Sequence, residues 1–241
     1  MAKKVAILFY GLTRSLDRTY ESIKSNILEE LTSNNIEYDI FIHTYRINSP
    51  YYNKWSGETV AHYDNEQYKL LNAKYIMIEN QDDVIDMHDF EAYYSNLGNW
   101  TFIEPQQDLT KYLIRNLAIA LYSKKQITEV FEKYKHEYSH VIIMRPDLYI
   151  YNKLDLSVMN ILDNTNIAIP DTEWFYGCND RLCIATPEIA CYYGKLYYYL
   201  LSYSKEKSII SERFMLDMLN YANLHIIAMD IKYDTLRHVN N

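Results

Sequence analysis

The chain has 241 residues, with 24 Lys and Arg against 32 Asp and Glu, a formal net charge of −8. That balance argues against a nucleic-acid groove, and an acidic protein that handles an anionic ligand needs locally placed cations or a metal. Apolar residues make up 49% and charged residues 23%, ordinary for a globular protein, and the length suits one large α/β domain or two small ones. No apolar run reaches the roughly 18–20 residues of a membrane span. Met1-Ala-Lys-Lys4 leads into a strand-like run too short for a signal peptide. The cysteines, Cys178, Cys183 and Cys191, are odd in number and lack zinc-site spacing. Reduced thiols in a soluble, cytoplasmic protein are the expectation.

Val5–Tyr10 is a short apolar run, read as the first strand, and Gly11-Leu-Thr-Arg14 follows as a tight loop. Tyr20, Ile23, Ile27, Leu28 and Leu31 recur at helical spacing, with Ser15 or Asp17 as the cap and Asn34-Asn35 as the stop. Tyr38–Tyr45 reads as a second strand. Strand, helix, strand makes a right-handed parallel βαβ unit. Arg14 then stands where a helix N-terminus can hold an anion. His43 and Tyr45 end the second strand on the side of Gly11; a hydrogen-bonded core histidine and a strand-end aromatic are the plainer alternatives. No GxGxxG or P-loop pattern is present.

Residues 46–108 read as a variable insertion, with one strand at Lys74–Ile78. The acids of 81–91 are expected to be solvated rather than metal-binding. Leu109–Tyr138 carries the longest helical pattern, either one helix or two meeting near Ser123. Arg115 and Asn116, early in it, point either toward the ligand edge or to solvent.

His140–Ile150 carries the strongest functional signal. Its first half is apolar and β-branched, as a buried parallel strand should be. It runs into Arg145, Pro146 and Asp147, and proline, which cannot donate to a ladder, should end the central pairing. One cation and one carboxylate are thereby placed at the carboxyl end of a buried strand, where open α/β sheets bind ligands. A surface Arg–Asp pair is the alternative. Further strands are expected at Asn166–Ile169, Leu182–Ala185 and His225–Ile231. Helices are expected at Pro187–Leu201, with proline near the first position, and Ser211–Tyr221. Asn179-Asp-Arg181 is a polar cluster just before a strand, and Leu236-Arg-His238 closes the chain.

These pieces together resemble a family of GT-A-type glycosyltransferases found in bacterial surface-polysaccharide clusters and large DNA viruses. The matching stretches are Phe9-Tyr-Gly-Leu-Thr-Arg14, Tyr20–Ile27, Tyr38–Tyr45, Ile143-Met-Arg-Pro-Asp-Leu148, Asn179-Asp-Arg181 with Thr186-Pro-Glu188, and Ser211-Glu212, in family order. The resemblance implies an α/β, single GT-A-like (Rossmann-like) domain over residues 1–241, its mostly parallel central sheet flanked by helices. It implies hexosyl or deoxyhexosyl transfer from a nucleotide-sugar donor to a glycan acceptor, in the host cytoplasm if viral. Tyr10, Gly11, Thr13, Arg14, His43, Tyr45, Arg115, Arg145 and Asn179 are then expected at the donor. Asp180, or else Glu212, is expected as the catalytic base; a turn-capping and a helix-N-terminal acid are the respective alternatives. In GT-A enzymes a DxD motif holds Mn²⁺ or Mg²⁺ against the donor diphosphate. Here Arg145-Pro-Asp147 lacks the first acid. Either Asp147 holds the metal with His238, or Arg145 neutralises the diphosphate itself. A sugar nucleotidyltransferase and a catalytically degenerate sugar-nucleotide- or glycan-binding protein are the alternative functions. Gly11–Arg14 is sparse for the Gly-rich basic loop of the former.

Overall fold

A computed structural model describes residues 4–48, 50–97, 107–175 and 177–237. β1 (Lys4–Tyr10) is buried on both faces, which its unbroken apolar run requires. Val5, Ile7 and Phe9 point into one apolar layer, Ala6, Leu8 and Tyr10 into the other. α1 (Leu16–Ile23) widens into a π turn (Lys24–Leu28) and resumes as α2 (Glu29–Ser33). This helix lays Leu16, Ile23, Ile27 and Leu31 on the first layer. β2 (Glu37–Arg46) then pairs parallel to β1, with His43 opposite Tyr10.

The stretch expected as a variable insertion does two things. It forms an antiparallel hairpin, β3 (Tyr51–Asn53) and β4 (Glu58–Val60). It also supplies β5 (Tyr75–Asn80), which pairs parallel to β2 at the sheet edge. α3 (Gln81–Asp86) follows, its N-terminus capped by the Asn80 side chain accepting from the Asp82 N–H at 2.9 Å. Asp82, Asp83 and Asp86 are exposed, in line with solvated acids.

α4 (Gln107–Glu132) is one continuous helix. β6 (His140–Met144) pairs parallel to β1 on its other side. β6 ends before Pro146, as the missing proline N–H leads one to expect. β7 (Leu148–Ile150) leaves the sheet and pairs antiparallel with β11 (Tyr233–Thr235). β8 (Asn166–Pro170), β9 (Leu182–Ala185) and β10 (His225–Met229) complete the sheet. Its order is β10-β8-β9-β6-β1-β2-β5, and β9 alone runs antiparallel to its neighbours. The helix expected over Pro187–Leu201 is two, α5 (Pro187–Gly194) and α6 (Tyr197–Glu206), turning at Gly194, the weakest helix former after the N-terminal proline. α7 (Ser211–Tyr221) follows. α4 to α7 cover the layer of Ala6 and Leu8. The architecture is thus α/β, a mostly parallel sheet between helices, as expected. No helix among the described residues is long and apolar enough to cross a membrane.

α4 does not break at Ser123 because that serine faces the strand ends. Gly11 sits at φ +90, a conformation that favours glycine. Its N–H donates to Ser123 Oγ at 2.8 Å. Ser123 Oγ also lies 2.7 Å from His43 Nδ1, and His43 Nε2 lies 2.8 Å from Glu79 Oε2. Glu79 is held down to about 2, first by that histidine, so it is an ionised acceptor and Nε2 carries the proton. Burial lowers the His43 pKa, keeping the ring neutral, so Nδ1 accepts from the Ser123 hydroxyl. Ser123→Ala leaves the Gly11 N–H and His43 Nδ1 unsatisfied in the interior. It should lower unfolding stability by ~1–3 kcal/mol. Urea denaturation checks this, and a variant unfolding at the wild-type midpoint would remove the serine as a tie.

Candidate active site

The carboxyl ends of β1, β2 and β6 lie side by side because the three strands are adjacent and parallel. β9 runs the other way, so its start stands at the same edge, Leu182 opposite Met144. Residues just before β9 therefore meet those just after β1 and β6. The Arg145 N–H donates to the Arg181 carbonyl at 3.1 Å, and the Tyr10 hydroxyl to the Asp180 carbonyl at 2.7 Å. A cleft of about 1200 Å³ opens over this edge.

Among the described residues five arginines line the cleft: Arg14, Arg145, Arg181, Arg213 and Arg237. Asp147, Asp180 and Glu212 are its carboxylates. The cleft is therefore cationic in a protein of net charge −8. Asp147, only 2% exposed, is its fixed point. Arg145 grips it as a fork, Nε donating to Oδ1 at 2.9 Å and Nη2 to Oδ2, while Arg14 Nη2 donates to Oδ2 at 3.2 Å. Burial alone would raise the Asp147 carboxyl; the two guanidiniums outweigh it and hold the group well below the usual carboxylate range. Arg14 is anchored on its other side by the hairpin. Its Nη1 donates to the Tyr51 hydroxyl at 2.8 Å and lies 3.3 Å from Oε2 of the fully buried Glu58.

Arg237 reaches the cleft because the chain after β11 is tied down. The Leu236 N–H donates to the Asp147 carbonyl, and the Ser15 hydroxyl to the Leu236 carbonyl, both at 2.9 Å. Among the described residues no carboxylate pairs with the Arg237 guanidinium. Burial, then Arg14 and Arg145, push its pKa down to about 10. With Arg14 and Arg145 nearby and only Asp147 and Glu58 acting against them, the Arg237 guanidinium is a candidate contact for an anion.

The acids Asp180 and Glu212 lie on the same cleft. Glu212 opens α7, is 9% exposed, and accepts from the Ser211 hydroxyl at 2.7 Å through Oε2. Burial first, and the Asp180 charge second, raise its pKa. Gly177 makes this arrangement possible: a Cβ there would overlap the Glu212 backbone. The loop before Asp180 thereby abuts α7, and the Cys178 N–H donates to the Glu212 carbonyl at 3.0 Å.

Of the residues expected at the site, Tyr10, Gly11, Arg14, Tyr45, Arg145, Asp147, Asp180 and Glu212 line the cleft. Four others do not. His43 is fully buried, with both nitrogens engaged in the Ser123 and Glu79 network, so it is the hydrogen-bonded core histidine. Thr13 is buried within the Gly11–Arg14 loop and is absent from the cleft lining. Arg115 turns away to stack on Tyr112, at 5.1 Å from the ring centroid, and leaves Asn116 on the cleft. Asn179 is fully buried and organises its own turn, accepting from the Arg181 N–H at 2.9 Å and donating to the Thr172 carbonyl. His238 lies outside the described residues. Sequence reasoning passed over Arg237, one residue from the histidine it named, and the hairpin residues Tyr51, Trp55 and Glu58.

No family model and no curated protein matches the chain. Among solved structures it is similar to mouse xyloside xylosyltransferase 1 in its apo form, at 12% identity over 95% of this chain and 86% of that one, TM-score 0.43. It is similar to the apo glycosyltransferase GlyE of Streptococcus pneumoniae, at 13% identity over 94% of this chain and 45% of that one, TM-score 0.42. It is also similar to the galactosyltransferase LgtC in complex with donor and acceptor sugar analogs, at 10% identity over 92% of this chain and 72% of that one, TM-score 0.42. The chain thus spans less than half of the GlyE chain. Likeness of this degree carries no weight for substrate or chemistry, which rest on the residues of the cleft.

Of the two residues expected to hold a divalent cation, His238 lies outside the described residues, and Asp147 is already engaged. Both Asp147 oxygens are taken by guanidiniums. Among the described residues no three His, Cys, Asp or Glu side chains stand together as a ligand set.

The raised Glu212 carboxyl has a consequence for stability. Its ordinary pKa is 4.5 and its folded value lies above that. Between the two, the folded state holds more protons than the unfolded state, so raising the pH favours unfolding. Glu212→Gln abolishes that slope. The variant should gain stability relative to wild type as pH climbs above about 4.5, with the gain complete once the wild-type carboxyl is ionised. Denaturation midpoints at pH 5 and pH 8 measure it; a gain no larger at pH 8 would show that the carboxyl is not raised.

Proposed function

We propose that this protein transfers a glycosyl group from a nucleotide-sugar donor to a glycan acceptor. The observation that carries this reading is one cleft holding an arginine cluster, in which Arg237 has no carboxylate partner among the described residues, alongside a pair of carboxylates, one of them with a raised pKa. The two halves suit the two charges that glycosyl transfer develops. Breaking the C1–O bond to a diphosphate sends the electron pair to the leaving group, and preorganised cations stabilise that charge. The sugar passes through an oxocarbenium-like state, by analogy with hydrolysis, and the acceptor oxygen attacks C1 as its proton leaves. Glu212 takes that proton. A carboxylate of raised pKa is a stronger base than an ordinary one, and burial, with the Asp180 charge second, keeps it so. Trp55 and Phe175, 53% and 58% exposed on the cleft, offer apolar faces to a sugar ring.

The pair makes forecasts in two directions. Glu212→Gln should leave donor binding near wild type and slow transfer roughly 10²–10⁴-fold, the usual loss with a general base. Asp180→Asn removes one of the charges that raise Glu212, so the acid limb of kcat/KM should move to lower pH. Steady-state transfer to a glycan acceptor, followed across pH by release of nucleoside diphosphate, measures both. Transfer at the wild-type rate in Glu212→Gln would take the base role from Glu212. Pyrophosphate-dependent release of nucleoside triphosphate would instead indicate nucleotidyl transfer.

A further inference from the structure

We propose that the donor diphosphate is held and neutralised by Arg237 and Arg145, with Arg14 behind them, and that no divalent cation takes part in holding it. The proposal rests on the nucleotide-sugar reading above and deepens it. The acid that a metal would need is already occupied: Asp147 accepts from Arg145 at Oδ1 and from Arg145 and Arg14 at Oδ2. A cation entering there would break charge-assisted bonds and sit against three guanidiniums, a like-charge contact in a partly buried site. Asp180 and Glu212 are the cleft's other carboxylates, and among the described residues they stand with no third ligand of the His, Cys, Asp or Glu kinds.

The arginines instead have capacity left over. Arg145 spends Nε and Nη2 on Asp147, which leaves Nη1 for a ligand. The Arg237 guanidinium has no carboxylate partner among the described residues. Arg14, Arg145 and Arg237 set three positive charges against the two negative charges of Asp147 and Glu58, an excess of one. Planar guanidinium forks match pairs of phosphate oxygens, and a fork already oriented by a buried carboxylate loses little freedom on binding. Asp147 is therefore a positioning residue: it aims Arg145 and Arg14, and its main-chain carbonyl tethers the segment that brings Arg237.

Calorimetric titration of the purified protein with UDP, GDP, CDP, ADP and inorganic pyrophosphate, in excess EDTA and again in Mn²⁺, tests this. The expected result is at least one ligand whose Kd agrees within about twofold between the two conditions. Arg237→Ala should weaken that ligand roughly 10- to 100-fold in EDTA, the range for losing a charge-assisted hydrogen bond. Arg237→Lys, which keeps the charge without the fork, should fall between. Binding that needs Mn²⁺ and vanishes in EDTA would overturn the proposal and leave the nucleotide-sugar reading standing. Binding by none of the ligands in either condition would overturn both. EDTA-resistant binding unchanged in Arg237→Ala would remove Arg237 from the site.

Discussion

A carboxylate shut away from water cannot stay ionised without partners, and Asp147 is the place where this rule organises the molecule. Its side chain draws in Arg145 from its own turn and Arg14 from the loop after β1. Arg14, itself buried, needs further acceptors, and the β3–β4 hairpin brings Glu58 and Tyr51 to meet it. The Asp147 main chain fixes the segment after β11, and with it Arg237. Four stretches distant in sequence are thus held around one acid. Removing any partner would leave a charge stranded in the interior, which costs far more than the pair contributes when complete.

The inverted strand is the second device. Had β9 run parallel to β6, its end and not its start would stand at the cleft edge, and Asp180 and Arg181 would lie at the far end of the sheet. The single antiparallel strand folds the loop before it across the cleft, where Gly177 lets it rest directly on the start of α7. Glu212 and Asp180 come from separate segments yet share one electrostatic environment for that reason. Holding two acids close in a half-dry cleft works against stability, the usual condition of a site built for chemistry.

The central sheet was legible in the sequence because its signals are local. Unbroken apolar runs marked β1 and β6, and Pro146, lacking an N–H, marked where β6 must end. Arg14, Arg145 and Asp147 could be placed at one edge from strand order alone. Tertiary partners were not legible. Nothing in the spacing of Glu58 or Tyr51 tells that they serve an arginine some forty residues earlier. Ser123 looked like a helix breaker, since serine competes for backbone bonds, but a glycine N–H and a histidine outbid that tendency. His43 had the right position along its strand and the wrong neighbour, and a one-dimensional pattern has no means of showing Glu79 beside it. Arg237 was hidden by its own surroundings, a short terminal stretch with no periodicity.

The hairpin also bears on how such a chain can diverge. Residues 46–108 look dispensable by composition, a loop-rich excursion between two regular elements, and segments of that kind tolerate insertion and exchange well. Here the excursion carries the counter-charge for an arginine of the cleft edge. A transplanted segment from another protein would succeed only if it delivered an acceptor of its own to Arg14, whatever else it changed in the shape of the cleft. Variation in this part of the chain is therefore constrained at Glu58 and Tyr51 and open at the exposed Trp55, which lets the cleft wall change shape while the floor stays fixed.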